Sequence, residues 1–300
     1  MSIDLKKTNR SLGVTLVLFA GIFWSTSGVV YRLIEEATSW QILFYRSLSL
    51  FFMIFIWLLI KYRLNIFKFL TTSIKLNLIG GFFLGTAFTG YIQALEYTSI
   101  ANAMFILAIS PFITALLGIL ILKEKIFSYM WLCMIFTAIG LSIMVGEEIS
   151  LGRGLGEFSA FIAALGFSGM TISIRANKKN DLLPTIVIGS FLATLFSAMI
   201  IIFNGNLFVL EKSELIFSCG MGIFQIGFGT VLYMLGAKHL ISVELTLLSL
   251  TEVIFGPILV WIFIGESPTK MGLIGGLIIL LSIIVMVTFG FKERKNLKFA

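Results

Sequence analysis

ALEYTSIANAMFILAISPFITALLGILILKEK, residues 94–125, decides the fold class. No charged residue occurs between Glu96 and Lys123, and about 20 consecutive apolar residues suffice to carry an α-helix through the hydrocarbon of a bilayer. The stretch therefore reads as a membrane span over about 99–122. Runs of the same kind recur along the chain, bounded by charges, Gly, Pro or Asn, at about 12–34, 40–60, 76–96, 128–146, 155–174, 184–203, 214–236, 243–265 and 270–290. The first is longer than the apolar region of a signal peptide and lacks a small-x-small cleavage site, so it too reads as a span.

Composition agrees. The 300 residues are 58% hydrophobic and 12% charged, with a mean hydropathy of +1.05, whereas an average soluble domain is about 25% charged. Ten spans leave no loop long enough for a folded soluble domain. The formal charge of +7 does not point to nucleic acid, because the basic residues are scattered between apolar runs rather than gathered on one face. One His, and two Cys that both sit in apolar runs (Cys133 and Cys219), leave no material for a metal centre or a disulfide framework. No cofactor is expected.

With the N-terminus on the cytoplasmic side, 17 of the 22 Lys and Arg residues fall in cytoplasmic loops and termini. Both termini are therefore expected inside, in the inner (plasma) membrane, with an even number of spans. The two halves, 1–150 and 151–300, echo one another. A shift of 142 residues superposes Glu124 on Glu266 and Met144-Val145 on Met286-Val287; a shift of 143 superposes Trp24-Ser25 on Phe167-Ser168 and Arg32 on Arg175. Five helices per half is an odd number, so the second copy enters the membrane with opposite orientation, an architecture common among secondary transporters.

The segments FWSTSGVVYR (23–32), FYRSL (44–48) and the run 94–125 resemble the EamA family of the drug/metabolite transporter superfamily over nearly the whole chain. The resemblance implies an all-α integral membrane protein, ten helices in two inverted five-helix repeats around a central cavity, and transport without ATP hydrolysis, with export favoured. Where that family often carries Glu-Pro in its ninth helix, this chain has Glu252-Val253, and Ser110-Pro111 stands in helix four.

Few residues can carry chemistry in such a setting. Glu252 lies near the middle of the ninth span, where a carboxylate costs about 2.5–3.5 kcal/mol unless it faces a polar interior. It reads as a proton-coupling group or a contact for a cationic moiety, or else as an interhelical tie; Ser249 shares its face. Arg46 sits about 9 Å from the outer end of the second span at 1.5 Å per residue, placed either to serve a cavity or to snorkel to the interface. Trp24 is the one Trp away from the interfacial belt, fit to hold a cation on its ring or to pack against a neighbour. Tyr45, Tyr91, Gln93, Asn102, Gln225 and Tyr233 are polar residues deep in spans, suited to line a cavity or to bond helix to helix. Pro111 and Pro257 mark bends. Gly81/Gly85, Gly222/Gly229 and Gly272/Gly276 read as close packing.

There is no Ser/His/Asp set, no zinc-protease helix and no phosphate-binding Gly loop, so the chain is read as a non-enzyme. The function expected is secondary transport of a small polar, amine-bearing or zwitterionic metabolite, amino acids and their derivatives before amino-containing osmolytes. Two alternatives are proton-coupled efflux of lipophilic organic cations and, from a different class, a membrane-embedded enzyme or assembly subunit. The partners are then a small-molecule substrate, protons where transport is coupled, the lipid bilayer and, as one option, a second copy in a homodimer.

Overall fold

A computed structural model describes residues 9–63, 72–98, 100–145, 154–178, 180–265 and 267–299. Glu266, several of the basic loop residues and the 150/151 boundary between the halves lie outside them. The described residues form helices only: α1 Arg10–Ser25, α2 Ser27–Arg32, α3 Ser39–Tyr62, α4 Ile74–Tyr97, α5 Ile100–Leu107, α6 Ser110–Leu117, α7 Ser128–Val145, α8 Leu155–Ala176, α9 Leu183–Phe203, α10 Lys212–Gly220, α11 Gly229–Ala237, α12 Ser242–Ser249, α13 Thr251–Ile264 and α14 Lys270–Phe299. A π-helical stretch follows α6, and another joins α10 to α11. Nine of the resulting rods are long and apolar enough to cross a bilayer, and one further apolar helix, α7, is shorter. Side chains such as Phe136, Leu195, Ile202 and Leu281 cover the outside, as a lipid-facing surface requires.

Small residues let the rods touch. A Cβ on Gly166 of α8 would lie 2.6 Å from the Ala87 backbone nitrogen and 2.7 Å from the Phe83 carbonyl of α4. Gly81 and Gly85 meet α9 at Ile188 and Gly189, and Gly222 and Gly229 meet the backbone of Arg46 and the ring of Trp24. The pair Gly272/Gly276 does not pack in this way. Gly276 faces open space, and α14 meets α7 instead through Gly275 against Gly140, on the neighbouring strip of the helix. Interhelical hydroxyl bonds supplement this packing, as between Thr137 and Ser282 at 3.0 Å and between Thr171 and Tyr233 at 2.8 Å. Gly166→Ala is expected to cost about 1–3 kcal/mol, since the new methyl meets backbone that cannot yield without helix movement. Gly276→Ala should be neutral. Thermal midpoints of the two purified variants check this, and equal midpoints would refute the packing argument.

Three of the rods are interrupted near mid-depth: at Thr26 between α1 and α2, at Ala108-Ile109 between α5 and α6, and at Leu250 between α12 and α13. Hydroxyls serve the carbonyls at each interruption. Thr26 Oγ1 donates to the Phe23 carbonyl (2.7 Å), Ser110 Oγ to Leu107 (2.5 Å), Ser249 Oγ to Thr246 (2.8 Å) and Thr251 Oγ1 to Leu248. Pro111 stands in the first turn of α6, but in the ninth rod the interruption precedes Pro257, which lies inside α13. Ser and Thr, more than proline, punctuate these helices.

Candidate functional site

The three interruptions surround one cavity of about 880 Å³, its mouth included. Irregular backbone at membrane depth is tolerated where it lines such a space. α1 contributes Trp24, α3 Arg46, α4 Phe88 and Tyr91, and the broken rods Ser110, Ser249 and Glu252. Gln225 reaches the cavity from the second π-helical stretch and donates through Nε2 to the Trp24 carbonyl at 3.2 Å. Apart from these the lining is mainly apolar, with Met104, Phe167 and Met170 prominent.

Arg46 and Glu252 are the two charged residues of the lining. Arg46 is 1% exposed, its guanidinium lies 5.4 Å from the centre of the Phe88 ring, and neither Nη atom has a hydrogen-bond partner among the described residues. Glu252 is partly exposed to the cavity and does not bridge to Arg46. It also lines a second space that shares Met104 and Val253 with the first and continues past Gly256 and Pro257 to Arg32, Ser267 and Thr269 at the far end of the bundle. The cavity is therefore open toward the end where α2 finishes.

The opposite end is closed by two buried ion pairs. Arg10 Nε lies 2.8 Å from Glu244, and its Nη atoms donate to the carbonyls of Val287 and Met286. Arg175 Nη2 lies 2.7 Å from Glu124, and its Nη1 donates to the Ala237 carbonyl. The other oxygen of Glu124 accepts from the Ser242 N–H at 2.9 Å and its hydroxyl at 2.6 Å. Both pairs thus fasten the first turn of α12, which holds Ser242 and Glu244. Nearby, and outside the spans, burial acts to raise the Asp181 carboxyl, but hydrogen bonds from Lys61, the Leu183 N–H and Tyr62 outweigh it and hold the group below its ordinary range.

Of the residues singled out from sequence, Trp24, Arg46, Tyr91, Gln225, Ser249 and Glu252 line the cavity together. Four lie elsewhere: Tyr45, Gln93, Asn102 and Tyr233. Tyr45 donates to the Phe208 carbonyl and ties down the segment after α9; successive residues of a helix point about 100° apart, so Tyr45 cannot share the direction of Arg46. Gln93 faces a lateral groove between α4, α8 and α9. Asn102 donates to Thr98 and to Glu157, the latter at 3.2 Å. Trp24 packs between Phe167 and Tyr233, at 5.9 and 5.3 Å between ring centres, with its N–H against Gly229. Tyr233 lies beneath it, wholly buried. Phe88, Met104, Thr230 and Thr246 also line the cavity. Phe88 and Met104 carry no sequence signal, because an apolar residue reads the same whether it meets lipid or substrate.

Comparison with known proteins follows from this geometry. The profile of the EamA-like transporter family matches residues 11–146 and 154–288. A protein of Synechocystis sp. named as an uncharacterized transporter is 27% identical over 222 residues, covering 68% of this chain and 62% of its own length. The match thus spans less than two thirds of that relative. A crystal structure of another protein superposes with a TM-score of 0.77 over 93% of this chain and 98% of its own, at 16% identity, which shows a shared fold.

Proposed function

The chain belongs to the EamA-like transporter family, and on that premise we propose that it is a secondary carrier moving a small polar, amine-bearing or zwitterionic metabolite by alternating access. Glu252 carries this reading. A carboxylate at membrane depth, without a close ion pair among the described residues and facing a cavity, is an attachment point for a cationic group. Amino acids and their derivatives come first as cargo, amino-containing osmolytes next, with export as the favoured direction.

We read the fold as ten spans in two inverted halves, with α7 as the fifth. The interruptions at Ala108 and Leu250 stand 142 residues apart, the offset of the sequence repeat, and support this reading. The closed end carries Arg10, Lys123, Arg175 and Lys238, so the positive-inside rule makes it the cytoplasmic face and the cavity outward-open. Both termini are then cytoplasmic, in an inner or plasma membrane. One carboxylate and one guanidinium form no acid–base set for an enzyme.

The apolar and aromatic lining favours a second reading, proton-coupled efflux of lipophilic organic cations. Counterflow in sealed vesicles separates the two. Vesicles preloaded with an unlabelled amino acid should accumulate the same labelled amino acid transiently and saturably, with no ion gradient imposed. Uptake of lipophilic cations that vanishes with the proton gradient, with no counterflow for any amino acid, would favour the second reading.

A further inference from the structure

We propose that Arg46 is the carboxylate-binding group of the cavity, so that the cargo is a neutral zwitterion with an apolar body. This rests on the cavity being the transport site and narrows its cargo: simple amines and lipophilic cations are excluded.

The comparison that matters lies within the chain. Three arginines are buried among the described residues: Arg10, Arg46 and Arg175. Two of them are matched in full view, each by a carboxylate and by main-chain carbonyls. Arg46 is the most buried of the three, yet both its Nη atoms lack a partner. A buried guanidinium left without acceptors is strongly unfavourable, and this fold supplies acceptors to its other two. The difference is that Arg46 faces the central cavity, whereas Arg175 meets only a pocket at the closed end that its own partner Glu124 also lines. The Phe88 ring holds the group in place and offers it no acceptor oxygen.

The unmet donors define their ligand. Two Nη groups in a planar fork match the two oxygens of a carboxylate, which is where arginine surpasses a point charge such as lysine. The wider lining fixes the ligand's net charge. Arg46 and Glu252 sum to zero, so a neutral zwitterion leaves no charge uncompensated. A phosphate dianion would meet one guanidinium and be repelled by Glu252. A bare amine would satisfy Glu252 and be repelled by Arg46. Gln225 Oε1, buried and without a hydrogen-bond partner among the described residues, adds an acceptor to the same cavity lining that could serve an ammonium group. Met104, Phe167 and Met170 offer mainly apolar surface to the rest of the molecule.

The test compares leucine, methionine and phenylalanine with their primary amides, which keep the ammonium and lose the carboxylate. Affinities come from ligand-dependent thermal midpoints of the purified full chain. For the wild type, at least one of the three acids should bind, and its amide should bind roughly 10- to 100-fold more weakly, the loss expected for hydrogen bonds to a charged group. Arg46→Met should weaken the acid by a similar factor and strengthen the amide, because the ammonium then meets Glu252 without an opposing cation. Arg46→Lys keeps the charge without the fork and should fall between. Arg46→Met removes two buried donors that lack acceptors, which offsets the loss of the attraction between Arg46 and Glu252, so its ligand-free midpoint should stay close to that of the wild type and keep the binding data interpretable.

Equal binding of acid and amide by the wild type, full acid affinity in Arg46→Met, or no binding of any of the three acids would each overturn the proposal. The broader carrier reading fails separately. If amides bind as well as acids and Glu252→Gln weakens both, the amine site stands and the carboxylate site falls. If counterflow fails for every amino acid and Glu252→Gln changes no binding, the carrier reading falls as well.

Discussion

Glu252→Gln should lower transport per folded molecule roughly 10- to 100-fold while leaving the thermal midpoint close to that of the wild type. The substitution keeps the size of the side chain and some hydrogen-bonding capacity and deletes the negative charge. On the proposed reading the variant loses the ammonium–carboxylate contact, worth roughly that factor in affinity. Folding should suffer little, because among the described residues no close ion pair and no hydrogen bond holds the Glu252 carboxylate, and only its longer-range attraction to Arg46 is lost. Removing one member of a buried structural pair behaves differently and costs about 3–5 kcal/mol. Vesicle uptake normalised to folded protein, measured beside the midpoint, distinguishes the two cases. A stable Glu252→Gln protein that transports normally would defeat the role assigned to Glu252. A collapsed midpoint with unchanged transport per folded molecule would make it a structural tie.

Arg175→Leu is expected to do the opposite. Arg175 and Glu124 are 4% and 5% exposed in their side chains, so the truncation leaves Glu124 buried without its cation. The expected loss of stability is about 3–5 kcal/mol. Glu124→Leu combined with Arg175→Leu should recover much of that loss, because replacing a whole buried pair by apolar groups is often neutral. The midpoints of the two single variants and the double variant complete the cycle. A strictly additive cycle would mean that the two side chains do not interact as their 2.7 Å separation indicates.

Those two arginine pairs also mark the limit of what the sequence discloses. Arg10, Arg175 and Glu124 lie at the ends of apolar runs, where hydropathy reads them as solvated loop charges that set orientation. In the fold they are buried and clasp α12. Nothing local distinguishes a terminal arginine facing water from one turned inward, because the partners are 51 and 234 residues away. The charged pair of the cavity was legible for the complementary reason: ionisable groups deep in an apolar run are expensive anywhere but at a polar space, so Glu252 and Arg46 stand out. Polarity without charge is a weaker signal. Tyr91 and Gln93 are two residues apart on α4, one lining the cavity and the other a lateral groove, and only the phase of the helix separates them. The interruption before Pro111 is signalled by that proline, whereas those at Thr26 and Leu250 carry no such signal, because Ser and Thr are common in spans that do not break.

Both ion pairs converge on the first turn of α12, and Leu250, where the same rod is interrupted, lies between that turn and Glu252. An energised membrane holds a voltage across a few nanometres, and any continuous water path through a carrier would short-circuit it. With two clasps on one turn, release of either pair alone still leaves that turn held, so a leak at the closed end needs both to let go. On the carrier reading, the interruption at Leu250 would let the carboxylate-bearing half of the rod follow its cargo while the clasped half stays shut, dividing electrical insulation and cargo handling between the two halves of one broken helix.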